Sequence, residues 1–158
     1  MLRFVLPAMI LAALPVAAQN MTFGGMKADV SAPVEVSADN LAVDQADGSA
    51  TFTGNVVIGQ GEMRLSAEKV VVEYAEGNQQ RISSLHATGQ VTLVSGPDSA
   101  EAAEATYDVD AGNVVLKGDV VLSQGKNVLT GDTVTVDLAS GSAQASGRVR
   151  SVLQPGSN

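Results

Sequence analysis

The sequence predicts an all-β, antiparallel domain built from two related halves, on three observations. Apolar residues return at every second position through most of the chain, Gly- and Asn-bearing turn signals interrupt them about every ten residues, and residues 38–77 align without a gap on residues 102–141. Period-two alternation puts the apolar side chains on one face of a pleated ribbon. Closely spaced turn signals belong to antiparallel sheets of short strands, and an internal match of this length marks repeated supersecondary units.

The chain opens with a targeting segment. Arg3 supplies a positive start, residues 4–14 form an apolar run broken by Pro7 and closed by Pro15, and Val16-Ala17-Ala18 offers small residues for cleavage after Ala18. This run is well short of the roughly 20 apolar residues of a membrane span, so a secretory signal peptide over residues 1–18 is expected rather than an anchor. Its removal leaves 140 of the 158 residues and deletes one base, Arg3, and no acid, taking the net charge from −8 to −9. With no second apolar stretch and no cysteine for lipid attachment, the expected destination is the periplasm. Residues 19–32 are expected to be a flexible N-terminal segment, 33–153 the folded domain and 154–158 a short tail.

Within the domain the expected strand residues are Val34 and Val36; Ala50 and Phe52; Val56 and Ile58; Val70, Val72 and Tyr74. The second half continues with Ala105, Tyr107 and Val109; Val114 and Leu116; Val120 and Leu122; Val134, Val136 and Leu138. Turns are expected at Asp47-Gly48, Glu76-Gly77-Asn78, Gly96-Pro97-Asp98, Ala111-Gly112-Asn113 and Ser140-Gly141, where Gly and Asn tolerate positive φ. Two shorter phrases recur. Gly-x-Val begins at Gly54, Gly89, Gly118 and Gly147, and a small residue followed by an acid stands at Ala38-Asp39, Ala67-Glu68, Ala103-Glu104 and Gly131-Asp132. Four units of roughly thirty residues result.

Composition removes several function classes. There is no cysteine and no tryptophan, and His86 is the single histidine, which leaves no disulfide scaffold, thiol chemistry or His-rich metal centre. An acidic chain with scattered bases lacks the footprint for nucleic acid. Asp44 to Gly48 and Asp108-Val109-Asp110-Ala111-Gly112 look like fragments of calcium loops but lack the full ligand set, so hairpin turns account for them better. No nucleophile elbow, phosphate-binding loop or HExxH motif is present, and no enzyme is expected. A transmembrane barrel needs aromatic girdles, whereas residues 19–158 hold only Phe23, Phe52, Tyr74 and Tyr107. A soluble sandwich or jelly roll remains.

Pro33-Val34-Glu35-Val36-Ser37-Ala38-Asp39, Phe52-Thr53-Gly54-Asn55-Val56, Gln60-Gly61, Ala67-Glu68-Lys69-Val70-Val71-Val72 and Gly118-Asp119-Val120 together resemble the OstA-like family over about residues 33–153. The resemblance implies an antiparallel open-ended β-jelly roll, V-shaped in section, with an apolar trough for the acyl chains of lipopolysaccharide. It also implies no cofactor, and end-to-end joining through edge strands with inner-membrane LptC-like and outer-membrane LptD-like OstA domains or with further copies in head-to-tail self-association. The acidic charge argues against a head-group site close to the protein, since repulsion is screened only beyond about 8–10 Å at physiological salt.

On that resemblance Val34, Val36, Leu93, Tyr107 and Val109 are the first candidates for lipid contact, followed by Phe52, Ile58, Leu65, Val72 and Leu116. Any inward Val or Leu is first of all core. Tyr107 stands out because an apolar ring with a polar tip suits the rim of a trough, and its repeat partner is Val43, so the repeat alone does not demand a tyrosine. Small Ala50, Ala105 and Ala143 are expected to leave room between the sheets. Partner edges are expected at Val34, Glu35 and Val36 and at Arg148, Val149 and Arg150. The alternative is a structural or adhesive β-repeat protein without a lipid ligand.

Overall fold

The computed structural model describes residues 21–22 and 28–155; the expected signal peptide over residues 1–18 lies outside them. Eleven strands follow one another: β1 (Met21–Thr22), β2 (Glu35–Ser37), β3 (Asn40–Val43), β4 (Ala50–Gln60), β5 (Met63–Ala75), β6 (Asn78–Ser95), β7 (Asp98–Asp108), β8 (Asn113–Gln124), β9 (Asn127–Asp137), β10 (Ser142–Ser146) and β11 (Arg150–Val152). They form one antiparallel sheet in the order β1-β10-β9-β8-β7-β6-β5-β4-β2, with β3 also on β4 and β11 also on β9. Among the described residues there is no helix.

All five expected turns lie between strands, and Gly61 and Gly125 make two more, at φ +56° each. The expectation of short strands is corrected. Runs such as 50–52 and 56–58 belong to one strand, and β6 reaches 18 residues. The Gly-x phrase lies inside strands rather than between them. Gly54-Asn55, Gly89-Gln90 and Gly118-Asp119 all adopt left-handed φ, and the pairing register slips at each. One extra residue therefore sits in β4, β6 and β8, which is a β-bulge that bends the strand while pairing continues on both sides. Gly147-Arg148 repeats the conformation between β10 and β11, both of which pair with β9. At the opposite extremity β2 and β3 both pair with β4 on either side of Asp39.

The bends divide the sheet into two layers. One holds β2, β11 and the halves of β4–β9 that meet at turns 61–62, 96–97 and 125–126; the other holds β3, β10 and the remaining halves. The expected inward residues Val56, Ile58, Val70, Val72, Val114, Leu116, Val120, Leu122, Val134 and Val136 are all buried in a single cluster drawn from both layers. With no helix to cover that face, the layers must cover each other, which is the sandwich arrangement of a jelly roll.

Each Gly of the recurring phrase faces the second residue of a small-residue pair. A Cβ on Gly54 would meet Asp39 Oδ2 at 2.7 Å, one on Gly89 would meet Glu68 Oε2 at 2.6 Å, and one on Gly147 would meet Asp132 Oδ2 at 2.5 Å. The third pair, expected at Ala103-Glu104, stands one residue earlier. Val91 faces Ala102 just as Val56 faces Ala67, and Gly118 faces Ala103. At that bend no carboxylate fills the angle, and a cleft of about 600 Å³ lies over Ala103, Gly118 and Asp119.

Gly118→Ala combines a left-handed backbone at φ +86° with a Cβ only 2.6 Å from that of Ala103, whereas Gly77→Ala carries a similar φ of +74° and meets nothing within 4 Å. Urea unfolding should show a loss of about 3 kcal/mol for the first and about 1 kcal/mol for the second, the difference measuring the steric demand of the bend. Equal losses would mean that the close approach is irrelevant.

Candidate functional site

The ten lipid-contact candidates all lie on, or against, the inner face, and the structure sorts them into two groups. Leu93, Tyr107, Ile58, Leu65, Val72 and Leu116 are buried among other core side chains. Val34, Val36, Phe52 and Val109 are partly exposed and pack against the margin of that core. Ala50, Ala105 and Ala143, expected to leave room, are buried with the first group.

The inner face continues beyond the closed core at one extremity. Leu41 on β3 stands opposite Phe52, and Val43 opposite Ala50. Directly paired residues share a face, so both side chains extend the apolar interior. Yet they are 58% and 63% exposed, because no further strand lies over them among the described residues. A groove of about 430 Å³ opens there, lined by Val43, Ala50 and Tyr74 and by the Asp44, Gln45 and Gly48 turn. Alternation along β3 contained this signal, but the expected contact residues passed over Leu41 and Val43.

Tyr107 departs from its expected place near a wet rim. It is 2% exposed, and its hydroxyl donates to Gln60 Oε1 at 2.6 Å. Tyr107 belongs to one layer and Gln60 to the other, so the bond spans the gap between them. Burial pushes the phenol up from its usual value and the Gln60 bond opposes this in part, so the hydroxyl stays protonated and able to donate. Gln60, itself 2% exposed, donates through Nε2 to the carbonyls of Val30 at 3.2 Å and Ala32 at 3.0 Å. The expectation of flexibility over residues 19–32 therefore meets specific bonds at 28–32, where Ala28 N also donates to Leu138 O at 2.8 Å, and at β1, which pairs with β10. The sequence shows Gln60 as a polar residue at a strand end; its partners come from 28 and 30 residues away.

At the edges, Val34 leads into β2, where Glu35 pairs with Gly59 and Val36 with Ile58, and Arg150 pairs with Thr130 at the other extremity. Val149 is exposed beside them. Arg148, one of the expected partner-edge residues, is engaged within the chain: its Nη2 donates to Asp132 Oδ1 at 2.7 Å and its Nε to the same oxygen at 3.0 Å. That contact holds the Asp132 carboxyl below the usual carboxylate range. Asn55 Nδ2 makes the equivalent bond to Asp39 Oδ2 at 2.9 Å, so both terminal bends are braced alike.

The discounted features resolve into turns and surface contacts. Asp44 Oδ1 accepts from Ala46 N at 2.8 Å and Asp108 Oδ1 from Ala111 N at 2.9 Å, while Asp110 pairs with Arg81. Asp44 and Asp108 are thus occupied in shaping their hairpins, and Asp110 in an ion pair. His86 bonds Thr106 Oγ1 through Nδ1 at 2.9 Å on the outer face. Among the described residues no group of three or more His, Cys, Asp or Glu is placed to hold a metal.

Residues 35–142 match the family described as LptA/(LptD N-terminal domain) LPS transport protein. The chain belongs to this family. Within the LptA/LptD N-terminal-domain family it is similar to an uncharacterised protein of Rhizobium meliloti (strain 1021), with 32% identity over 141 residues that cover 83% of this chain and 76% of that one. It is also similar to the lipopolysaccharide export system proteins LptA of Haemophilus influenzae, with 31% identity covering 82% and 81%, and of Escherichia coli K12, with 29% identity covering 80% and 74%. Among solved structures, LptH of Pseudomonas aeruginosa, described as the LptA-homologous periplasmic component of the conserved lipopolysaccharide transport device, superposes with a TM-score of 0.72. It is 22% identical and covers 81% of this chain and 99% of that one, a likeness of fold. The OstA-like architecture expected from the sequence is therefore the observed one.

Two outcomes follow from the bonds at this site. Tyr107→Phe leaves Gln60 Oε1 without its buried donor, and urea unfolding should show a loss of about 1–2 kcal/mol; an unchanged midpoint would mean that the cross-layer bond is idle. Because the Asp132 pKa is depressed, its pairing with Arg148 stabilises the fold fully above the ordinary value of 3.8 and less as pH falls through the depressed one. A carboxyl NMR titration should place the Asp132 midpoint below 3.8 in the native chain and return it toward 3.8 in Arg148→Gln.

Proposed function

We propose that this chain is a periplasmic lipopolysaccharide-binding bridge protein, which carries lipopolysaccharide from the inner to the outer membrane with its acyl chains held against the inner face. The observation that carries this reading is the continuity of that face. It runs from exposed Leu41 and Val43, past half-buried Val34, Val36 and Phe52, through Leu65, Leu93 and Leu116 to Ala143 at the other extremity, in a chain of a lipopolysaccharide transport family. An acyl chain of about twelve carbons costs on the order of 9 kcal/mol to hold in water, at about 0.8 kcal/mol per methylene. A carrier between membranes therefore needs an apolar surface long enough to shelter several such chains.

Edge strands supply the coupling in this reading. β2 and β11 lie at opposite extremities, each paired with one strand of the sheet among the described residues, and in this reading they are the edges to which a neighbour adds a strand. The partners are LptC-like and LptD-like OstA domains or a further copy joined head to tail. Glu35 and Arg150 are the charges placed to discriminate between neighbours, since Arg148 is held by Asp132.

Close packing of Leu93, Leu116 and Tyr107 favours the rival reading, a structural β-repeat protein with no lipid ligand. Displacement of a fluorescent lipid A probe from the purified chain separates the two. A photo-crosslinker at Leu93 or Tyr107 should capture lipopolysaccharide, and one at Thr135, which shares the outer face with Gln144, should not. Equal capture at all three positions would defeat the interior site.

A further inference from the structure

Residues 28–32 lie across the opening between the two layers and touch both. On one side Ala28 N bonds Leu138 O at 2.8 Å, the Ala28 side chain is buried in the core cluster, and Val30 Cγ1 lies 3.8 Å from where a Cβ on Gly112 would stand. Leu138 and Gly112 are themselves joined, by Leu138 N donating to Gly112 O at 3.0 Å, so these contacts belong to one layer. On the other side Gln60 grips the carbonyls of Val30 and Ala32, and the turn at Gly61 lies against Asp29 and Ala32. The segment arrives already shaped. Ser31 N donates to Asp29 Oδ1 at 3.0 Å and Ala32 N to Asp29 O at 3.1 Å, a side-chain-supported turn that presents its carbonyls to Gln60.

Gln60 is also the residue that receives the Tyr107 hydroxyl, so one amide bonds both the crossing segment and an interior candidate. We propose that residues 28–32 form a strap, clasped by Gln60, that closes the apolar interior and must lift before an acyl chain can enter. This rests on the lipid-carrier reading above and adds its regulation. It accounts for an inner face whose central residues are buried in the free chain: lipid entry exchanges the contacts of the strap, including the buried Ala28, for contacts with the acyl chain. The populations of clasped and lifted chains then set the apparent affinity, because the apparent Kd of a ligand that binds only one state is its intrinsic Kd divided by the fraction of molecules in that state.

The chain has no cysteine, so a single engineered pair can lock the strap. A Cβ at Gly61 would stand 3.4 Å from that of Asp29 and 4.0 Å from that of Ala32, close to the separation of about 3.5–4.5 Å found in disulfides. Asp29→Cys with Gly61→Cys should bind the fluorescent lipid A probe at least tenfold more weakly when oxidised than when reduced; Ala32→Cys with Gly61→Cys provides a second lock. In the opposite direction, Gln60→Ala should raise the probe association rate severalfold in stopped flow and speed amide exchange at Ala28 and Ala32. Equal binding by the oxidised and reduced forms, with the native chain binding the probe, would overturn the strap and leave the carrier reading standing. Failure of the native chain to bind at all would remove the carrier reading, and the strap with it.

Discussion

A single sheet with one apolar face, and with no helix among the described residues, has to bury that face against itself, and the rest of this structure depends on that constraint. Long antiparallel strands would otherwise run on as a flat ribbon with Ile58, Leu93, Leu116 and Leu122 in water, each forgoing roughly 1.5–3 kcal/mol of burial. The bends at Gly54-Asn55, Gly89-Gln90 and Gly118-Asp119 resolve this without breaking the hydrogen-bond ladder. Two successive left-handed residues insert one extra residue and turn the strand, so its two halves lie on different layers. Glycine is required at the first position of each pair because a Cβ would collide with the facing Asp39, Glu68 or Ala103.

The bends also explain a repeat that chemistry alone would not. Small residues followed by acids bring no carboxylate pair together; they stand in the angle of each bend. Asp39 and Asp132, at the two terminal bends, accept from Asn55 and Arg148 and hold the broken strands β2–β3 and β10–β11 in line. Glu68 fills the angle at Gly89, whereas Ala103 leaves the angle at Gly118 open. The acidic charge of the chain is in part distributed over such bracing positions and over turns, as at Asp44, Asp108 and Asp137.

The open β3 end and the closed flank of the fold are complementary. At the β3 end the inner face emerges uncovered, with Leu41 and Val43 in solvent, while across the flank residues 28–32 tie the layers together. In the proposed reading the interior opens past the strap, while the exposed β3 end extends the apolar face beyond the closed core. Tyr107 and Gln60 stand where the strap would lift, and their bond replaces with a protein partner the water that a buried phenol would otherwise lack.

Alternation, turn residues and the 64-residue repeat made the all-β class, the inward set and five of the seven tight turns from β3 to β10 legible in the sequence, because each depends on residues adjacent along one strand. Strand length was not legible: a Gly-x pair reads the same whether it ends a strand or bends it, and only pairing on both sides tells the two apart. The misplaced pair at Ala103-Glu104 has the same origin, since register across strands decides which small residue faces Gly118. Among the candidate residues, inward parity identified Ile58, Tyr107 and Leu116 as interior. Whether each is packed or open, the engagement of Arg148 by Asp132, and the clasp of Gln60 on residues 28–32 were left to the tertiary structure. They are contacts between segments 16 to 47 residues apart, and no local pattern records which distant groups the fold brings together.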